Sequence, residues 1–227
     1  MRDQFAYDED RRQFIRQLSI FVAGLSTFPV AALSLSGCSS ASSIANQSSR
    51  MSTMPTRGGR MPCGSCDAPA NLSWKTVITS KDETGEHLLM SGTIYQPDGT
   101  TPAEGVVLFV FHTDATGRYN KEDDPNNPRL RGWMKTGKDG RYEFRTIKPA
   151  PYPQLKTPAH IHAHIYGPGY PEYYIDEYWF EGDPLITPAE RVKLSGRGGF
   201  PSIITLTRDG EGVLRGVRNI KLEHIQN

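Results

Sequence analysis

The chain has 227 residues, 37% of them hydrophobic, which suits one well-formed core with accessory segments and argues against a second full domain. Its 26 basic and 25 acidic residues leave a formal charge of +1, so charge gives no reason to expect a nucleic-acid partner. The 22 glycines, 17 prolines, ten tyrosines and nine phenylalanines favour short strands and turns over a helical bundle.

Residues 1–37 have the organisation of an export signal rather than of a fold element. Arg11-Arg12-Gln13-Phe14-Ile15-Arg16 resembles a twin-arginine motif, and Leu35-Ser36-Gly37-Cys38 resembles a bacterial lipobox. The alternative is an uncleaved membrane anchor, but the apolar stretch over 18–33 is shorter than the roughly twenty residues that span a bilayer. We therefore predict an exported protein on the periplasmic side of the envelope, held to a membrane by a lipid on Cys38.

Residues 38–68 are rich in serine and small polar residues, a composition typical of a flexible tether. Cys63 and Cys66 form a C-x-x-C pair near its end. In an oxidising compartment we expect a local disulfide between them. Half of a zinc site or a redox centre is the alternative, although no second pair follows and Cys38 is assigned to lipid.

From residue 69 to residue 227 the pattern becomes period-two runs separated by Gly, Pro and Asp, which predicts one all-β domain folded as an antiparallel β-sandwich with long loops. A short helix is expected only over 187–194, with Thr187 as its cap and Pro188 at its first position. The strand candidates are 74–79, 87–95, 106–111, 140–147, 160–166, 174–180 and 203–206.

Three histidines, His160, His162 and His164, alternate along one strand candidate, so their side chains project from one face. Such a cluster makes a metal site the first hypothesis, although histidines are also common as hydrogen-bonded structural residues. The tyrosines nearest to this strand and to an earlier core strand are Tyr152 and Tyr119.

Around these residues the chain resembles the intradiol ring-cleavage dioxygenases, which have a transthyretin-like sandwich. The resemblance covers roughly residues 84–185, and its specificity lies in the order and spacing of five sequence blocks. They are Phe111-His112-Thr113-Asp114-Ala115-Thr116-Gly117-Arg118-Tyr119, Leu130-Arg131-Gly132, the stretch over 139–153 that ends in Pro151-Tyr152-Pro153, Pro158-Ala159-His160-Ile161-His162, and Phe180-Glu181-Gly182-Asp183-Pro184.

The resemblance implies one ferric ion, Fe(III), held by Tyr119, Tyr152, His160 and His162, with His164 outside the ligand set. Phenolate oxygens suit a hard, highly charged cation, which would pull the protons off both tyrosines. The implied reaction cleaves a catechol-type diol with O2 to a muconate-type diacid. By analogy Tyr119 would leave the metal and act as a base for the substrate.

Two residues that we assign to the catalytic site depart from the family pattern. Thr157 stands where the family usually has Arg, and its neighbour Lys156 would point to the opposite face of an extended strand. Glu177 stands where the family typically has Gln, so a carboxylate there would disfavour anionic substrates or recruit a different hydrogen bond. Only seven residues separate Tyr152 from His160, which suggests an open pocket.

Two other functions remain as alternatives at this point. One is a non-catalytic binding module on the same scaffold, for which Thr157 is the best argument. The other is a metal-binding lipoprotein that uses His160, His162 and His164 for copper or zinc. The resemblance leaves self-association open, and the sequence does not assign the segment over 208–227 to the sandwich or to a partner.

Overall fold

A computed structural model describes residues 62–224. The predicted export signal, Cys38 and most of the predicted tether lie outside this range and stay predictions. The described chain forms twelve strands and one short helix. These are β1 (Lys75–Val77), β2 (His87–Tyr95), β3 (Val107–His112), β4 (Leu130–Lys135), β5 (Arg141–Ile147), β6 (His160–Gly167), β7 (Tyr170–Tyr174), β8 (Tyr178–Phe180), α1 (Pro188–Arg191), β9 (Ile203–Ile204), β10 (Thr207–Arg208), β11 (Leu214–Val217) and β12 (Ile220–Lys221).

The strands form two six-stranded sheets. The first has the order β1-β5-β2-β11-β10, with β12 also paired to β2, and the second has the order β4-β3-β6-β8-β9, with β7 also paired to β6. The predicted all-β sandwich is therefore confirmed. Its sheets are mixed: most pairs are antiparallel as predicted, whereas β1 with β5, β11 and β12 with β2, and β9 with β8 are parallel pairs.

The core lies between the two sheets and is built by alternation along their strands. On β5, Tyr142 and Phe144 are fully buried while Arg141 and Arg145 are exposed. One continuous apolar cluster is formed by the alternate side chains of β2, β3, β5 and β6 that point toward the opposite sheet. The burial of this apolar surface is what holds the two sheets together.

The central strands β3 and β6 differ from the others because both of their faces are covered. Every residue of β3 is buried, and so are the first six residues of β6. Leu108 and Val110 on β3 belong to the core, whereas Phe109 and Phe111 belong to a separate cluster on the outer face of the sheet. Long loops cover that outer face, which is where the histidines of β6 also lie.

The structure corrects several predicted boundaries. The predicted strand over 174–180 is two strands, since the backbone N–H of Asp176 donates to Arg197 O (3.1 Å) instead of continuing the ladder on β6. The strand β4 was not predicted. The C-terminal segment left open by the sequence joins the first sheet through β11 and β12. The helix α1 is shorter than predicted but does begin after Thr187, whose side chain accepts from Glu190 N.

The segment around the C-x-x-C pair is packed onto the sandwich. Gly64 is buried, and its carbonyl oxygen accepts a hydrogen bond from the indole N–H of Trp133 (2.7 Å). The folded part of the chain thus begins before the predicted domain boundary at residue 69. None of the helices within residues 62–224 has the length and apolar composition needed to cross a membrane.

Candidate metal centre

The register of the second sheet places His162 and His164 of β6 in two neighbouring rows across its outer face. Phe111 on β3 lies opposite His162, and Phe109 lies opposite His164. The Phe111 ring stacks on the His162 ring, with centroids 4.6 Å apart and an interplanar angle of 19°. This contact fixes the plane of His162, and alternation brings His160 onto the same face.

Two loops bring tyrosines over these histidines. Tyr119 comes from the loop between β3 and β4 and Tyr152 from the loop between β5 and β6. In the first loop Gly117 has a φ of 82° and touches Pro151 in the second, with an added Cβ only 2.3 Å from the Pro151 carbonyl oxygen. A side chain at residue 117 would therefore separate the two tyrosine-bearing loops.

The four predicted ligand atoms meet at one point. Tyr119 Oη lies 2.8 Å from His162 Nε2, and Tyr152 Oη lies 3.1 Å from His160 Nε2 and 3.2 Å from His162 Nε2. The two Nε2 atoms are 3.1 Å apart, and the two phenolic oxygens are in hydrogen-bond contact. Five close contacts thus join two oxygen and two nitrogen atoms.

Hydrogen bonding on the far side of His160 sets its tautomer. Its Nδ1 lies 2.6 Å from the carbonyl oxygen of Pro158. Because a carbonyl oxygen only accepts, Nδ1 carries the proton and Nε2 presents its lone pair to the cluster. The Asp183 carboxylate accepts from Ala159 N (2.8 Å), which holds the backbone just before His160.

His162 is held differently. Its Nδ1 lies 3.8 Å from the Glu177 carboxylate. Burial, followed by the neighbouring His160, lowers the pKa of His162 well below its ordinary value, so the ring is neutral. The neutral ring can offer Nε2 to a metal.

Tyr119 resists ionisation in the metal-free protein. Burial, followed by the nearby Tyr152, raises the pKa of Tyr119 far above its ordinary value of 10.0. A highly charged cation among these oxygens would reverse that shift. Two phenolic protons are also too few for five contacts among four acceptor atoms. The donor set therefore fits a hard cation such as Fe(III), which Tyr119, Tyr152, His160 and His162 would hold.

The third histidine of the strand does not join the centre. His164 is 1% exposed, and its Nδ1 lies 2.7 Å from the Glu172 carboxylate on β7. Within residues 62–224 no group of three or more His, Cys, Asp or Glu side chains is placed to hold a metal ion. A copper or zinc site made of His160, His162 and His164 is therefore not favoured, because the Nδ1 of His164 is engaged by Glu172.

Of the remaining predicted site residues, only Glu177 has a contact that places it beside the centre. Glu177 faces His162, as described above, whereas Thr157 is half-buried in the loop before β6. Lys156 is exposed in that loop, not on a strand as the sequence argument assumed. Sequence reasoning did not assign a role to Glu172. Alternation along β3 is enough to place Phe111 on the outer face beside His162. The contact of Glu172 with His164 depends on the register of β7, which the sequence pattern does not give.

A β-sandwich that carries two tyrosines and two histidines at one point defines a class of mononuclear non-haem metal protein. Comparison with known proteins identifies the family to which the chain belongs. A family model described as "Dioxygenase" matches residues 66–200, more than half of the chain. The chain belongs to the intradiol ring-cleavage dioxygenase family.

Individual relatives agree with this assignment. The protocatechuate 3,4-dioxygenase beta chain of Burkholderia cepacia is 29% identical over 123 residues, which cover 49% of this chain and 52% of the relative. Catechol 1,2-dioxygenase 1 of Acinetobacter lwoffii is 35% identical over 129 residues, covering 48% and 41%. The chain spans about half the length of these curated relatives.

Solved structures show the same fold. The dioxygenase domain of a dioxygenase carbohydrate-binding protein fusion from Streptomyces sp. SirexAA-E matches with a TM-score of 0.53 at 23% identity, covering 76% of this chain and 99% of that chain. At this identity the match establishes the sandwich architecture alone.

Proposed function

We propose that the protein is an Fe(III)-dependent intradiol dioxygenase that cleaves a catechol-type diol with O2. The observation that carries the proposal is the convergence of the hydroxyls of Tyr119 and Tyr152 with the Nε2 atoms of His160 and His162. Family membership supports the reaction class. Tyr119, Tyr152, His160 and His162 would hold the ferric ion, which would supply Lewis-acid activation of the diol toward O2.

The protein's own residues supply binding and proton transfer. His160 and His162 are held by Pro158 O and by stacking on Phe111, so they remain fixed during turnover. Tyr119 and Tyr152 contact each other through their hydroxyls. We assign Tyr119 Oη as the base that receives a proton from the substrate hydroxyl.

Charge at the edge of the centre bears on substrate choice. The Glu177 carboxylate lies near His162, and Thr157 provides no cation. We therefore expect neutral catechols to be preferred over ring-carboxylated ones. Glu177→Gln and Thr157→Arg should each raise kcat/KM for 3,4-dihydroxybenzoate relative to catechol by about tenfold, since each removes a repulsion or adds an attraction. Equal ratios in all three proteins would remove both residues from substrate selection.

The central test is the visible spectrum of the purified protein loaded with ferric iron, before and after anaerobic catechol and then after air. Ferric phenolate coordination predicts a charge-transfer band that shifts with catechol and then decays as a muconate absorbance appears. Tyr152→Phe should abolish the band and turnover. Tyr95→Phe is the matched control, because Tyr95 lies on the other sheet, with its ring centroid 5.8 Å from that of Phe200. A catechol shift without product would instead establish the non-catalytic module.

A further inference from the structure

The loop of Cys63, Gly64, Ser65 and Cys66, here called the CGSC loop, covers one row of the outer face of the second sheet. That row runs across three strands as Trp133, Phe109 and His164, which are opposite one another in the register. The next row along the strands contains Phe111 and His162. The CGSC loop thus lies one row away from the metal ligands.

A single carboxylate fastens the loop. Glu172 on β7 accepts from Gly64 N (2.7 Å), Ser65 N (3.0 Å) and Ser65 Oγ (2.6 Å). It also accepts from His164 Nδ1 (2.7 Å), so the same carboxylate joins the loop to the metal-bearing strand. Two successive backbone N–H groups aimed at one carboxylate form an anion-binding concavity.

Packing fixes the loop from below. The Gly64 carbonyl oxygen accepts from the indole N–H of Trp133 (2.7 Å), and a Cβ at residue 64 would lie 2.7 Å from Phe109 Cδ1. Only glycine allows this approach. Phe109 in turn contacts His164 edge-on, with centroids 5.4 Å apart, and stacks on Phe111 at 5.5 Å. Displacement of the loop would therefore uncover Phe109, which contacts both His164 and Phe111.

The disulfide holds the loop in the shape that Glu172 binds. Cys63 and Cys66 are joined by a disulfide, and Cys66 N donates to Cys63 Sγ (3.1 Å). Cys66 is exposed, whereas Cys63 is partly covered. An attacking thiol can therefore reach Cys66 directly, while the sulfur that would leave is the sheltered one.

We propose that Cys63–Cys66 is a thiol–disulfide exchange site, open to small thiols or dithiol proteins, whose reduction releases the CGSC loop from Glu172 and loosens the metal-bearing strand. A thiolate attacks Cys66 Sγ, the protein disulfide breaks, and Cys63 leaves as a thiolate that takes a proton from water. A second thiolate then attacks the mixed disulfide and releases Cys66. Two external thiols are oxidised to one disulfide, and the protein disulfide gains two electrons.

The exchange step is tested by equilibrating the full chain, stripped of metal, in glutathione buffers and alkylating the free thiols. Trypsin cuts after Arg60 and Lys75, so one peptide carries both Cys63 and Cys66 while Cys38 falls in another. Mass spectrometry should show the peptide over 61–75 gaining two alkyl groups as the buffer becomes more reducing. A peptide that stays unmodified in folded protein would overturn the exchange site.

The coupling step is tested by the melting temperature of the same metal-free protein with the disulfide oxidised and reduced. Reduction should lower the melting temperature of the wild type by about 4 °C or more. Glu172→Gln and Gly64→Ala should melt lower when oxidised and lose less than half as much on reduction, because the loop is already released. Gly210→Ala is the matched control, since nothing lies within 4 Å of its added Cβ. Equal losses in all four proteins would overturn the coupling.

The effect on metal retention rests on the proposed function and is measured separately. The double variant Cys63→Ser, Cys66→Ser avoids a reductant that would also reduce the iron. It should release iron to a chelator about tenfold faster than the wild type. An unchanged rate would overturn the link from the loop to the metal. Absence of iron from both proteins would overturn the proposed function instead, while the melting data would still decide whether Glu172 fastens the loop.

Discussion

The two faces of the second sheet are built from the same strands but follow different rules. On its inner face Leu108 and Val110 of β3 and Ile161 of β6 are in the apolar core. On its outer face the intervening residues are aromatic or histidine, and loops from elsewhere in the chain cover them. The inner face is held by buried area, which any residue of suitable size provides. The outer face depends on hydrogen bonds and ring contacts between particular residues.

Because of this difference, alternate residues of one strand serve different purposes: some stabilise the fold and the others form the candidate metal centre. His160, Ile161 and His162 are consecutive, yet the histidines meet the tyrosines while Ile161 packs between the sheets. A slip of one residue in the register of β6 would exchange the two faces and destroy both. Inner-face substitutions should therefore change the free energy of unfolding, and outer-face substitutions should change metal binding.

The largest expected effect is in the apolar core between the two sheets, on the first-sheet strand β5 that packs against this inner face. Phe144→Ala removes a fully buried ring that contacts Tyr178 edge-on with centroids 6.0 Å apart. It should lower the free energy of unfolding by about 3–5 kcal/mol. Urea denaturation of the metal-free protein measures this, with the exposed neighbour Arg145→Ala as control. A loss no larger than that of the control would mean that the core is not where the structure has it.

A polar residue on the inner face makes stability depend on pH. His112 bridges the sheets through Thr146 Oγ1 (2.7 Å), and burial lowers its pKa from 6.5 to about 4. Between these two pKa values the unfolded chain binds more protons than the folded one. The contribution of His112 to the free energy of unfolding is therefore complete above the unfolded pKa and is lost as the pH falls toward 4. The loss should be about 3 kcal/mol.

Denaturation curves of the wild type and His112→Gln over pH 4–7 check this prediction. The pKa values of His162 and His164 are also lowered, with burial as the largest cause, and the variant retains that burial, so the difference between the curves reports mainly on His112. Parallel curves would contradict the assignment.

On the outer face the expected effect is on iron rather than on folding. His162→Ala should weaken iron binding by about 100-fold or more and bleach the charge-transfer band. Iron content after dialysis against a graded chelator series measures it. The exposed His224 provides a matched control through His224→Ala. Retention of iron and colour in His162→Ala would refute the assignment of the centre.

The smallest expected effect tests the independence of the two faces. Ile161→Val removes one buried methylene between the two histidine ligands and should cost about 1 kcal/mol of unfolding free energy. The position of the charge-transfer band and the iron content should not change. A shifted band would show that the inner face positions the ligands, and that the two faces are coupled.

Period-two alternation in the sequence predicted many of the strands, but it did not predict β4. In β4 the buried residues Leu130 and Met134 flank Gly132, and the outward positions include Arg131. Glycine and arginine hide the alternation in the sequence, although the strand is anchored along β3 by six residue pairs. Strand assignment there depends on a partner that local sequence does not reveal.

The sequence likewise predicted only part of the candidate metal centre. The sequence pattern alone predicted three histidines on one face, and family resemblance was needed to add Tyr119 and Tyr152. His164 lies on the same face of β6 as the two histidine ligands, yet its Nδ1 donates a hydrogen bond to Glu172. That pairing arises because β7 folds back on β6 with an irregular register near Ile165. Spacing along one strand carries no information about such a neighbour.

The pairing of β2 with the end of the chain has a consequence for the order of folding. β2 forms parallel ladders with β11 and β12, and Thr93 N donates to Asn219 Oδ1 across 126 residues. The first sheet therefore cannot close until nearly the whole domain has left the ribosome. Contacts of this separation slow folding, because a long loop must close before any of them forms. Until then β2 presents an unpaired edge, which is the kind of surface on which chains aggregate.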